Sequence, residues 1–201
     1  MMRFILILCT VVFLISCTKK SENRIYSKIT MNSIPEVYVE INSSLLKNRN
    51  DTYFYNDSLF SGFLIEISDS SKDTLSRESF LKGKRSGIQQ KWYSTSKIKE
   101  VRFYVDGKKN GKQIAFWENG NKKFEFTAND DAYEGELKEW TIDGFLIHQA
   151  NFVNGQEEGP QKLWYDNGKI RANYIIRDGK RYGLLGTKNC VNVSDSVFTT
   201  S

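Results

Sequence analysis

Hydrophobic and polar residues alternate along four stretches of the chain that lie 24 residues apart, with polar turns between them. On one side of these stretches 12 of 16 positions are apolar, against 6 of 16 on the other side. No stretch after residue 35 has the 3.6-residue apolar period of an amphipathic helix. A two-residue period is typical of β-strands that bury one face, so the pattern predicts an all-β fold. The four stretches are residues 98–105, 122–129, 146–153 and 170–177.

Turn residues recur with the same period as the strands. Five glycines lie 24 residues apart and a sixth precedes them by 25, a signature of tandem structural repeats; they are Gly62, Gly87, Gly111, Gly135, Gly159 and Gly183. Dipeptides of Asn or Asp with Gly favour type I′ hairpin turns, and they stand at both ends of the repeated unit. They occupy residues 119–120, 143–144 and 167–168 at one end, and 106–107, 154–155 and 178–179 at the other. Every strand is therefore expected to pair antiparallel with its sequence neighbours.

Aromatic residues occupy two fixed positions after the repeat glycines. The fifth residue is Trp92, Phe116, Trp140 or Trp164, and the sixth is aromatic in three of these units, as Tyr93, Trp117 and Tyr165. Rings at the same place in successive hairpins are expected to stack as a ladder, each burying roughly 150–250 Å². Two interpretations stay open, since the ladder is either part of the core or the lining of a binding groove.

The unit from Gly159 to Gly183 combines a Trp-Tyr pair, an Asn-Gly turn and a second, Asp-Gly turn. It resembles the bacterial variant of the MORN repeat, and the resemblance covers about residues 51–183. Two units depart from the pattern, with residues 94–96 (STS) and 129–131 (NDD) in place of the usual turns. The resemblance implies an elongated, single, twisted antiparallel sheet of 24-residue hairpins. It also implies a binding or scaffolding role, and some bacterial proteins of this kind are antitoxin-like.

The first residues have the pattern of a bacterial lipoprotein. The apolar run over residues 4–15 is too short to span a membrane as a helix, and residues 14–17 (LISC) resemble a lipobox. We therefore expect a signal peptide over residues 1–16 and lipidation of Cys17, which would anchor the protein outside the cytoplasm at the inner or outer membrane.

The rest of the chain is expected to divide into three parts. A flexible tether follows the anchor over residues 17–35, the hairpin repeat domain occupies residues 36–189, and residues 190–201 form a terminal strand or tail. Within the repeat domain residues 36–42 alternate and are expected to begin the sheet. Residues 51–60 are expected to form a degenerate first hairpin arm.

Composition narrows the functional classes. The 201 residues carry 29 Lys and Arg against 24 Asp and Glu, and a net charge of +5 is too small for a dedicated nucleic-acid surface. With one histidine and three cysteines, neither a metal site nor a cofactor is expected. The single imidazole, His148, lies in an apolar column, and no nucleophile elbow or phosphate-binding loop accompanies it. Cys190 is expected to be a buried or inert thiol. The chain is therefore not expected to be an enzyme.

Charged turns add one further alternative. Basic residues cluster at residues 82–85, 108–112 and 180–181, and acidic residues at 130–139 and 157–158. They form either a solvated rim or a surface that contacts an anionic membrane or an acidic partner.

The sequence favours a non-enzymatic, membrane-anchored binding or scaffold module at the cell envelope, with another protein as its partner. Two alternatives remain, an antitoxin-like or immunity-like neutraliser of a cognate toxin and a glycan-binding protein that uses exposed aromatic rings.

Overall fold

The computed structural model describes residues 34–186, and this part of the chain contains strands and no helix. The predicted all-β fold is confirmed. The strands are β1 (Tyr38–Glu40), β2 (Leu46–Arg49), β3 (Thr52–Tyr55), β4 (Ser58–Leu59), β5 (Gly62–Ile67), β6 (Thr74–Leu81), β7 (Lys84–Trp92), β8 (Ile98–Val105), β9 (Lys108–Lys109), β10 (Gly111–Phe116), β11 (Lys122–Asn129), β12 (Ala132–Trp140), β13 (Leu146–Val153), β14 (Gln156–Glu157), β15 (Gly159–Trp164), β16 (Ile170–Arg177) and β17 (Lys180–Leu184).

Fourteen of these strands form one long, open sheet. From β5 to β17 the strands follow one another across the sheet in chain order, and each pairs antiparallel with the next. The short strands β9 and β14 extend the hairpins that begin at β8 and β13. The predicted meander of hairpins is thus confirmed, because turns this short let a strand pair only with its immediate neighbour.

The N-terminal edge departs from that rule. β1 runs parallel to β5, with Tyr38 opposite Phe63, so the expectation that every strand pairs antiparallel with its sequence neighbours is wrong here. Gly62 makes the pairing possible, because a Cβ at this residue would clash with the Val37 carbonyl oxygen. That same oxygen accepts a hydrogen bond of 2.7 Å from the Phe63 amide.

Beside the long sheet, β2, β3 and β4 form a separate three-stranded sheet. The hairpin of β3 and β4 confirms the predicted first hairpin arm over residues 51–60. Its Tyr53 ring lies 4.5 Å from the ring of Phe80, which is completely buried. Phe60, Leu64 and Phe80 belong to the hydrophobic cluster that results. This small sheet therefore closes the N-terminal end of the repeat array, as capping repeats do.

The two ends of the repeated unit use different turns. At one end both central residues have positive φ, as in Asp106-Gly107 at 48° and 86°, which is the predicted type I′ turn. At the other end a three-residue loop closes the hairpin, and only its last residue, such as Gly120 at 95°, has positive φ. The Gly120 amide donates to the Trp117 carbonyl at 2.9 Å, and the Trp117 amide to the Asn121 carbonyl at 2.8 Å. The prediction of a type I′ turn is therefore wrong at this end of the unit, because a three-residue loop needs a type I turn followed by one left-handed residue.

Burial follows the predicted alternation. In β16 the side chains of Ala172, Tyr174 and Ile176 are buried and those between them are exposed. We call the side of the sheet that carries these residues, together with Phe124 and Phe126, the apolar face. Its buried members confirm which of the two faces the sequence pattern marked as apolar.

Candidate functional site

The four aromatic side chains at the fifth repeat position are half-buried at the ends of their strands. Trp92, Phe116, Trp140 and Trp164 each lie next to a β-bulge, where the register with the following strand shifts. Among the described residues, no ring contact joins two of these four side chains. The predicted ladder of stacked rings does not form at this position.

The sixth position links successive units instead. The Tyr93 hydroxyl donates to the Phe116 carbonyl at 2.9 Å, and the Trp117 indole nitrogen donates to the Trp140 carbonyl at 3.0 Å. Lys123 lies 4.4 Å from the Trp117 ring centroid. These side chains hold neighbouring hairpin ends together, which is a structural role; the third aromatic of this position, Tyr165, is 40% exposed.

All six repeat glycines have positive φ. Four of them, Gly87, Gly111, Gly135 and Gly159, lie where one strand has two residues more than its partner. Thus Glu78 pairs with Gln89 but Phe80 pairs with Arg85, on either side of Gly87. The Gln89 side chain satisfies the bulged backbone, since it donates to the Ser79 carbonyl at 2.9 Å and accepts from the Ser79 amide at 3.0 Å. Buried glutamines at the same repeat position, Gln113 and Gln161, bond the equivalent carbonyls of Phe103 and Asn151. The glycines are therefore backbone elements of the fold.

Ring contacts concentrate in the middle of the apolar face. The ring centroids of Phe124 and Phe126 are 5.8 Å apart, Phe126 meets Tyr133 edge-on at 4.8 Å, and Tyr133 lies 4.9 Å from Phe152. We call these four side chains the aromatic patch. All four remain partly accessible, and Tyr133 is 38% exposed.

Polar pairs border the aromatic patch. On one side the Arg102 guanidinium lies 5.1 Å from the Phe124 ring centroid and is hydrogen-bonded to Glu100 at 3.1 Å. On the other side Glu139, the cross-strand partner of Phe124, lies 3.0 Å from the His148 ring nitrogen Nδ1. The patch therefore has an apolar centre and a charged rim.

In the described part of the chain the patch has no covering layer. Strands β11, β12 and β13 pack extensively only against their neighbours in the sheet. The cap of β2, β3 and β4 lies at the N-terminal end, over Phe80. Within residues 34–186 no second layer packs on the four rings, which stay partly accessible.

Sequence reasoning missed Tyr133 as a surface residue. It stands two residues before a repeat glycine, where four of the other five units carry charged side chains, Arg85, Lys109, Glu157 and Arg181, and the first unit carries Phe60. An aromatic residue in a mostly charged column was a signal available from the aligned repeats. The packing of Tyr133 against Phe126 and Phe152 became visible only in the structure.

The remaining predicted features divide between described and undescribed residues. Within residues 34–186 no group of three or more His, Cys, Asp or Glu side chains is arranged to hold a metal ion. The same part of the chain has no helix with the length and hydropathy needed to cross a membrane. The signal peptide, Cys17, the tether up to residue 33 and Cys190 lie outside the described residues.

Two basic turn residues pair with acidic turn residues along the hairpin edge. Lys108 lies 3.7 Å from Asp130, and Arg181 lies 3.6 Å from Glu157. These exposed pairs fit a solvated rim, since such ion pairs contribute little to stability.

No protein-family model matches this sequence, and no significant match is found among the curated proteins.

Proposed function

We propose that this protein is a non-enzymatic binding module, anchored by lipid at Cys17 to the bacterial cell envelope, that holds a protein partner on its aromatic patch. The observation that carries the proposal is the row of four contacting, partly exposed rings on a sheet face that no described residue covers with a second layer. Contiguous apolar surface of this kind marks interaction sites in soluble proteins.

The composition of the patch favours a protein over other ligands. Tyr, Phe and Arg are enriched at the centres of protein interfaces, and charged side chains form their rims. Here Phe126 and Tyr133 lie at the centre, while Arg102, Glu139 and His148 lie at the edge. The arrangement matches a small interface with aromatic anchor residues.

The repeats offer variants that remove the patch with little damage to the fold. Arg102 occupies the repeat position of Phe126, and Lys109 that of Tyr133, so Phe126→Arg and Tyr133→Lys place side chains already tolerated by neighbouring units. Ile175→Thr is the matched control, because Ile175 is 44% exposed on the opposite face and Thr127 occupies its repeat position.

Crosslinking in the native cells tests the proposal. A photoreactive amino acid at position 133 is expected to give one discrete protein adduct, and the same group at position 175 is not. Adding Phe126→Arg is expected to abolish the adduct, because an anchor residue typically contributes 2 kcal/mol or more, about thirtyfold in affinity. Equal adducts from both positions, or an adduct that survives Phe126→Arg, would refute a patch-bound protein. An adduct that resists protease and is released by glycan hydrolases would assign the face to glycan instead.

The anchor needs a separate test. Labelled fatty acid is expected to enter the wild-type protein and not the Cys17→Ser variant. Incorporation into Cys17→Ser would show that the lipid is attached elsewhere or that the lipobox resemblance is misleading.

A further inference from the structure

A second surface, on the side of the sheet opposite the aromatic patch, carries an arginine without an acidic partner. Three arginines of the described chain are half-buried, Arg77, Arg85 and Arg102. Arg85 lies 3.1 Å from Glu78, and Arg102 lies 3.1 Å from Glu100. Arg77 forms no ion pair with any described residue, and its Nε is buried without a hydrogen-bond partner.

Aromatic stacking fixes the position of the Arg77 guanidinium. Tyr38 and Phe63 stack across β1 and β5, with ring centroids 5.2 Å apart and planes at 20°. The Arg77 guanidinium carbon lies 4.3 Å from the Phe63 ring centroid and 5.9 Å from that of Tyr38. When an aromatic ring stacks on the flat face of a guanidinium, the N–H donors along the guanidinium edge stay available for an acceptor. The Arg77 donors are therefore held in place before any ligand arrives.

A small cavity of about 50 Å³ lies beside this guanidinium. Its polar lining includes Gln90, the cross-strand partner of Arg77, whose side-chain amide has no hydrogen-bond partner among the described residues. The Ser79 hydroxyl also lines it but already donates to backbone carbonyls, at 2.6 Å to Ser86 and 2.9 Å to Ile88. The remaining wall is apolar and is formed by Ile34, Phe63 and Ile88.

We propose that this cavity binds a carboxylate carried on a short apolar stem. A water-sized group occupies roughly 10–15 Å³ by the same measure, so the cavity holds about four such groups, the size of an acetate. Arginine donates two parallel hydrogen bonds to a carboxylate, and the Gln90 amide supplies a further donor. A doubly charged phosphate fits less well, because it presents three acceptor oxygens to one cation and an otherwise apolar wall.

The unpaired Nε–H group of Arg77 destabilises the folded protein, and a ligand that accepts a hydrogen bond from it would remove this cost in free energy. A buried donor with no acceptor costs about 1–3 kcal/mol. Arg85 and Arg102 avoid that cost through Glu78 and Glu100 on their own or neighbouring strands. Since no residue within 34–186 supplies an acid to Arg77, the proposed acceptor is a ligand, either a free carboxylic acid or the acidic side chain of another protein.

The side-chain Nε–H signals of the ¹⁵N-labelled full chain in detergent provide a direct test. Acetate and a blocked glutamate residue (N-acetylglutamate α-amide) are titrated in parallel, with acetamide as the neutral control and inorganic phosphate as the competing anion. The Arg77 signal, identified by its absence in Arg77→Met, is expected to shift saturably with both carboxylates. Tighter binding of acetate assigns the site to free acids, and tighter binding of the blocked glutamate assigns it to acidic side chains.

Variants and an internal control make the result decisive. The Arg102 Nε–H signal is expected to stay in place, because Glu100 already occupies that guanidinium. Arg77→Lys keeps the positive charge but loses the paired donors of the planar guanidinium, and it is expected to weaken carboxylate binding at least tenfold. An unchanged backbone amide spectrum of this variant would show that the fold is intact. The proposal is overturned if no carboxylate shifts the Arg77 signal, if Arg102 shifts as much, or if phosphate binds and carboxylates do not.

Discussion

Replacement of Ser96 by glycine is expected to stabilise the hairpin between β7 and β8. Ser96 has a φ of 60° at the loop position that Gly120 holds in the next unit, and its amide donates to the Tyr93 carbonyl at 2.9 Å. A left-handed conformation costs an L-residue about 1–2 kcal/mol, whereas glycine adopts it without that strain. Glycine also loses more chain entropy on folding, about 0.5–1 kcal/mol. The net gain is therefore about 0.5–1 kcal/mol.

Asp131→Gly is the matched comparison. Asp131 also has positive φ, 70°, where most units carry glycine, but its carboxylate accepts a hydrogen bond from the Lys109 amide at 2.8 Å. Losing that bond costs about 0.5–1.5 kcal/mol, which offsets the conformational gain. Ser96→Gly should therefore stabilise its hairpin, while Asp131→Gly should leave its own nearly unchanged or weaker.

Native-state hydrogen exchange is the suitable assay, because repeat arrays often unfold in parts and a global transition would average the effect. Amides of the hairpin that joins Trp92 to Ile98 are expected to exchange about two- to fivefold more slowly in Ser96→Gly, the equivalent of 0.5–1 kcal/mol. Exchange that is unchanged or faster would refute the reasoning and would mean that residue 96 is not left-handed in solution.

Three further outcomes follow from burial, backbone geometry and charge. Phe80→Ala should lower the free energy of unfolding by about 3–5 kcal/mol, because this ring is fully buried. Trp140→Ala should lower it clearly less, because Trp140 is half-buried, and an equal loss of melting temperature in the two variants would contradict these placements. Gly62→Ala should detach β1 by its clash with the neighbouring backbone, seen as fast exchange over residues 38–40, and retained protection there would argue against the parallel pairing. The hydrogen bond from Lys138 lowers the pKa of Glu136 below its usual 4.5, so its contribution to stability is full above that pH and disappears as the pH falls through the lowered value; a Lys138→Met variant should lose this dependence in acid titrations followed by circular dichroism.

Much of the fold could be predicted from local sequence. The 24-residue spacing of glycines and the alternation in residues 170–177 correctly marked the hairpins and the buried face. The type I′ prediction was correct at turns such as Asp106-Gly107, because this is a two-residue loop, for which turn geometry and residue preference coincide. It was wrong at turns such as the one that contains Gly120, because an Asn-Gly or Asp-Gly dipeptide also suits a three-residue loop. Only the strand register distinguishes the two loop lengths.

The candidate site was less accessible to sequence reasoning. The conspicuous aromatics Trp92 and Trp140 lie beside β-bulges at the ends of their strands, whereas the aromatic patch includes Tyr133, at a repeat position that is mostly charged. Which ring meets which depends on bulges that shift register by two residues, and these leave no mark in the two-residue period.

The sequence by itself determined the all-β meander, because hairpin pairing depends on contacts between residues close in the chain. The tertiary structure alone decided that β1 pairs parallel with β5, that β2 to β4 cover one end, and that Arg77 has no acidic partner among the described residues. These features join segments that are distant in sequence, and their energies come from packing and close backbone approach that no local pattern encodes.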